Sequence, residues 1–146
     1  MMMPVQINDA QYLWIEAGAM SGGPRHQTEF ADDVAEFFDD DTREMELINV
    51  RLPDGSIHVR PFTYRGGEHH WTEIWRISLP TASMGGPDYQ HRVIRFSKVR
   101  LGRGLLYDVE VADAGSPEAS AWEQDASSKG TVSHTGGAGG RSYGWR

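Results

Sequence analysis

A chain of 146 residues without cysteine is long enough to bury a core as one domain, and it has neither a disulfide framework nor a thiolate metal site. No run approaches the roughly 20 apolar residues of a membrane helix, and the start, MMMPVQINDAQ, lacks the basic and apolar regions of a secretory signal. The expectation is one cytoplasmic domain over 1–146, with no membrane partner and no cofactor.

The net charge of −7 argues at first against a polyanionic partner, but its distribution matters more than its sum. Nine acids fall between Glu29 and Glu46 against the single base Arg43, so the rest of the chain holds 12 acids and 13 Lys/Arg. Five bases and no acid lie between Arg92 and Arg103.

In chain order, residues 11–17 (QYLWIEA) read as a strand, followed by a loop through Gly22-Gly23-Pro24 to about Thr28. Phe30, Val34, Phe37 and Phe38 then recur at i, i+4, i+7 and i+8, which predicts a helix capped by Thr28 with the acids on its solvated face. MELINVRL and SIHVRPFTY flank Pro53-Asp54-Gly55 as a hairpin. Trp71, Trp75, Ile77 and Leu79 mark the next strand. HRVIRFSKV follows, then a turn at Gly102-Arg103-Gly104, and strict alternation over 105–112. Ser116 caps a second short helix with Pro117 at its first position and Glu118 in its first turn. The Gly-rich tail, 129–146, carries Tyr143 and Trp145 and is expected to dock on the body or on a ligand. The whole predicts a mixed, mainly-β, open pseudobarrel of six to seven strands with two short helices.

Phosphate-binding loops, dinucleotide fingerprints, zinc-protease helices and nucleophile elbows are not found. No histidine is followed two positions later by the lysine that a phospholipase-D-type nuclease needs. Glu68-His69-His70 is the best metal candidate, but neighbours in a strand or turn point apart, so no metal and no catalytic residue is assigned. An enzymatic reading would have to join residues far apart, such as His58, Glu73 and His134.

Three segments can bind a polyanion, and each admits a plainer reading. Arg25, His26 and Gln27 end the glycine-rich loop, and Arg and Gln can grip a base edge with two hydrogen bonds; alternatively the loop only positions a cap. Arg76 together with Arg92, Arg95, Lys98 and Arg100 can supply phosphate contacts, or form a solvated face paired with the acidic segment. Arg141, Tyr143 and Trp145 join cationic and aromatic groups as single-strand binders do, or the two rings plug the barrel. The acidic helix expected at 29–46 supports a competing role as a protein-interaction module, with DNA mimicry as one form.

The segments LWIEAGAMSGGPRHQTEF, WRISLP, GRGLLYDVEVADAGSPEASAW and GRSYGW resemble, in that order, the C-terminal DNA-recognition domain of restriction endonucleases with a phospholipase-D-like nuclease half. The resemblance runs from about Leu13 to Trp145. It implies a pseudobarrel like the B-three fold of plant transcription factors, reading double-stranded DNA in the major groove with two loop or strand arms. Gly22 to Gln27 would belong to the DNA-facing region, although His26 stands where Asn is expected and Pro24 where a small polar residue is common. The nuclease half is not in this chain, so the resemblance implies a non-catalytic, sequence- or modification-dependent DNA-binding domain of a restriction-modification or defence system, with a nuclease domain as partner.

Overall fold

β-branched and aromatic residues, with both faces buried at Val93-Ile94 and at Leu106-Tyr107, make the centre of the molecule a hairpin of two ten-residue strands, β6 (Arg92–Leu101) and β7 (Gly104–Asp113), paired in register from Arg92 opposite Asp113 to Leu101 opposite Gly104. Gly102, at φ +59°, takes the left-handed conformation that this tight connection requires. The computed structural model describes residues 6–17, 26–31, 34, 36–38, 46–65, 74–102, 104–126, 128–132 and 141–146. These form seven further strands: β1 (Tyr12–Glu16), β2 (Gln27–Ala31), β3 (Glu46–Arg51), β4 (Ile57–Arg65), β5 (Ile74–Ser78), β8 (Ser128–Val132) and β9 (Arg141–Trp145). One helix, α1 (Pro117–Asp125), and three short 3-10 turns complete the described elements. None of the described helices is long and apolar enough to cross a membrane.

All nine described strands join one curled, open half-barrel sheet in the order β2-β5-β4-β3-β7-β6-β1-β9-β8. Every pairing is antiparallel except β3 with β7, which joins the β2-β5-β4-β3 half to the rest. Arg51 of β3 clamps Asp108 of β7 across that seam with two hydrogen bonds, 2.6 and 2.9 Å, the two-pronged geometry a guanidinium gives to a carboxylate.

The inner face holds the main core. Phe38 lies at its centre, with ring centroids 5.1 Å from Phe62 of β4, 5.3 Å from Phe96 of β6 and 5.1 Å from Tyr107 of β7. It therefore ties both halves of the sheet together. On the outer face, α1 lays Ala119 and Trp122 over Trp14 of β1 and Val93 of β6. Ser116 caps this helix, its hydroxyl accepting the Ala119 amide at 3.2 Å.

The strand count exceeds the six to seven expected from the sequence, for two reasons. Gln27–Ala31 is strand β2, paired edge-on with β5, and not the start of a helix; among the described residues of 29–46, Val34 is helical and Glu36–Phe38 forms a 3-10 turn. Thr28 is buried in the interior of β2. Val34, Phe37 and Phe38 are nevertheless all buried, so the apolar spacing did mark a core-facing group. The Gly-rich tail supplies β8 and β9, and β9 pairs with β1.

Candidate nucleic-acid interface

A period of two divides the basic strand between the two faces of the sheet. Arg95 follows Val93 on the helix side, whereas Lys98 and Arg100 follow Ile94 and Phe96 of the inner face. The five bases between Arg92 and Arg103 therefore do not form one contact surface.

Register also neutralises two of them. Arg92 lies opposite Asp113 and Arg95 opposite Glu110, and both form ion pairs, at 3.0 and 2.5 Å. Opposite charges directly across a strand pair are the ordinary way a hairpin stabilises itself. Arg95 is held further. Its guanidinium lies 4.8 Å from the Trp122 ring centre and 5.7 Å from that of Tyr12, inside the stack that fixes α1 to the sheet. Its guanidinium is thus engaged by both the hairpin and α1. The Tyr12 hydroxyl in that stack is raised above its ordinary pKa, by burial first and then by the Asp125 carboxylate.

Lys98 donates to the Asn8 carbonyl at 2.9 Å and lies 4.5 Å from the Phe37 ring centre. Arg100 is exposed and makes no hydrogen bond or ion pair among the described residues. It stands at the exposed end of the β6–β7 hairpin with Leu101, Gly102 and Gly104. From Lys98 to Tyr107 this arm carries Lys98, Arg100 and Arg103 and no acid. Arg103 itself lies outside the described residues, as do Arg25, His69, His70, Glu73 and His134.

His26 and Gln27 open the edge strand β2. Gln27 donates its side-chain amide to the Ser78 hydroxyl at 3.3 Å, and the His26 carbonyl accepts the Leu79 amide at 2.9 Å. Arg76 lies in β5 on the same face as Gln27, opposite Glu29 and Thr63. The His26 imidazole is half-buried, its Nδ1 enclosed with no hydrogen-bond partner. Burial first, and then the charge of Arg60, hold it below the usual histidine range.

The tail residues divide similarly. Arg141 opens β9 opposite Val132. Tyr143 and Trp145 face inward with Ile15 and Leu13 and stack on each other at 5.5 Å with an 18° interplanar angle. Tyr143 is 5 % exposed and packs within the main core, in the position the plug reading gives it. Trp145 packs half-buried against the same core.

Two other surface features were not visible from motifs. A cleft of about 440 Å³ is lined by Trp14, Glu16, Glu123, Lys129, Ser142 and Tyr143, between α1 and the β1-β9-β8 edge. On the outer side of the β3–β4 hairpin, Leu47, Ile57 and Val59 are each more than half exposed, and the register aligns Leu47 with Pro61 and Val59 with Asn49. No group of three or more potential metal ligands occurs among the described residues. His58 contacts the Ser56 hydroxyl at 3.0 Å. No family model matches the chain, and no curated protein matches it.

Proposed function

We propose that the chain is a non-catalytic recognition module for duplex DNA, serving a restriction-type system whose nuclease centre lies on another domain or chain. The observation that carries this reading is the β6–β7 arm. It is a two-stranded ribbon whose exposed end holds Arg100 without a partner among the described residues, in a ten-residue stretch containing three bases and no acid. The major groove admits a two-stranded ribbon, and an arginine at its end can reach a phosphate or a guanine edge. The edge-strand entry at His26 and Gln27 is a second candidate contact, in keeping with the two-armed recognition that the family resemblance implies.

Fluorescence titration of a labelled duplex at three salt concentrations tests the reading. Phosphate neutralisation releases counterions, so log K falls with log salt by roughly 0.9 per contact. Arg100→Gln should reduce that slope by about 0.9, while Arg92 and Arg95, already neutralised within the hairpin, contribute little. Absence of duplex binding at low salt rejects the proposal.

The exposed Leu47, Ile57 and Val59 favour a second reading, a protein-interaction module. The acid-rich stretch 29–46 leads directly into this patch in sequence, so the partner would combine apolar and basic groups. A Val59→Lys variant that retains full duplex binding separates this surface from the first.

A further inference from the structure

Arg60 was not singled out by any motif, yet the register brings it to the strand entry that carries His26 and Gln27. Thr28 of β2, Ile77 of β5 and Phe62 of β4 form one row across the inner face, since Thr28 and Phe62 both pair with Ile77. All three are buried. One step further along the same face, two residues on in each strand, the row becomes His26, Leu79 and Arg60. The Leu79 amide bonded to the His26 carbonyl marks the continuation of that ladder. Arg60 leans across the exit of β5 toward β2, and its Nε donates to the Ser78 carbonyl at 2.8 Å.

Two basic side chains thus converge from the two strands flanking β5. Arg60 spends Nε on Ser78, and its terminal nitrogens have no partner among the described residues. His26 presents a ring whose enclosed Nδ1 is also without a partner. Arg60 lies near enough to His26 for its charge to add to the effect of burial in holding that imidazole below the usual histidine range. The buried Tyr89, just beyond β5, donates its hydroxyl to the Pro80 carbonyl at 2.8 Å. No carboxylate among the described residues is bonded to either base. Uncompensated, half-buried guanidinium donors beside an imidazole are chemically suited to a tetrahedral oxyanion.

We propose that His26 and Arg60 form a phosphate-oxyanion site beneath the entry to β2. On the DNA reading, its occupant is a backbone phosphate, held so that the neighbouring Gln27 meets the groove in register. Arg60 and His26 would then position the strand entry, while base discrimination falls to the residues beside them.

Two measurements test this, and the first needs no DNA. Inorganic phosphate titrated into the wild-type chain should shift the His26 ring resonances and the Arg60 Nε–H resonance together, with sodium chloride at matched ionic strength leaving both in place. Equal responses to phosphate and chloride, or no response, would overturn the site. The second compares duplex binding of wild type, Arg60→Gln and His26→Gln across salt. Arg60→Gln should flatten the salt slope by about 0.9, and both variants should lose the phosphate response while melting cooperatively. If phosphate is bound but duplex is not, the oxyanion site stands with a free phosphate compound as its occupant and the DNA reading falls. If the wild-type chain binds duplex and Arg60→Gln leaves the slope unchanged, DNA as the occupant is rejected.

Discussion

Replacing Arg95 tests whether the basic strand is built to bind or to hold the fold. In Arg95→Ala three contributions are lost together. The guanidinium over Trp122, at 4.8 Å and largely covered, is worth about 1 kcal/mol. The partly exposed ion pair with Glu110 adds about 0.5 kcal/mol. Loss of the methylene stem packed in the helix–sheet seam accounts for roughly 1 kcal/mol more. A total near 2.5 kcal/mol, with a urea dependence of about 2 kcal/mol per molar, lowers the unfolding midpoint by about 1.2 M. Arg95→Met, which keeps the stem, should recover about 1 kcal/mol of that loss. Urea unfolding followed by tryptophan fluorescence reads these values. A change under about 0.5 kcal/mol in Arg95→Ala, accompanied by a salt slope of duplex binding reduced by about 0.9, would refute the structural role and return Arg95 to the phosphate contacts.

Three further outcomes are expected. Ser116→Ala removes the hydroxyl that accepts the Ala119 amide and should cost about 1 kcal/mol in chemical denaturation. Gly144→Ala places a methyl group 2.5 Å from the Trp14 indole nitrogen and 3.0 Å from Ala126; the ring is buried and cannot swing clear, so about 1–3 kcal/mol should be lost, read as a lower melting temperature. His26 has its pKa lowered in the folded chain by burial and by Arg60, so its neutral form is favoured by folding. That stabilisation is fully present above the unfolded value of about 6.5 and is lost as pH falls through the folded value. His26→Gln should accordingly flatten the decline in stability below about pH 6.5, measured as urea midpoints against pH.

Much of the sheet was legible because apolar runs and partial alternation, bounded by turn residues, mark its strands. β1, the β3–β4 hairpin, the β6–β7 hairpin and the Ser116-capped helix all lie where the sequence pattern puts them. β2 was not legible, since Phe30, Val34, Phe37 and Phe38 satisfy a helical spacing while Gln27–Ala31 gains a β5 partner that no local signal announces. The docking of the tail was legible from Tyr143 and Trp145, whereas its pairing as two strands was not: Gly130 and Gly144 are small because the rings of Tyr143 and Trp14 lie against them. For the candidate site, counting charges along β6 concealed their pairing. The turn at Gly102 already implies that Arg95 faces Glu110 and Arg92 faces Asp113, so a register drawn from that turn would have removed both from the contact set. Arg60 could not be found this way, because its proximity to His26 depends on β5 running between β4 and β2.

The salt dependence of duplex binding, compared among wild type, Arg100→Gln and Arg95→Gln, tests the central claim most directly. Arg100 and Arg60 alone give a wild-type slope near −1.8, and engagement of Arg25 and Arg103 would carry it toward −3.6. Arg100→Gln should reduce the magnitude by about 0.9, and Arg95→Gln should leave it unchanged despite its lower stability. A wild-type chain that binds no duplex, or binds with a flat response to salt, would contradict DNA recognition by this sheet.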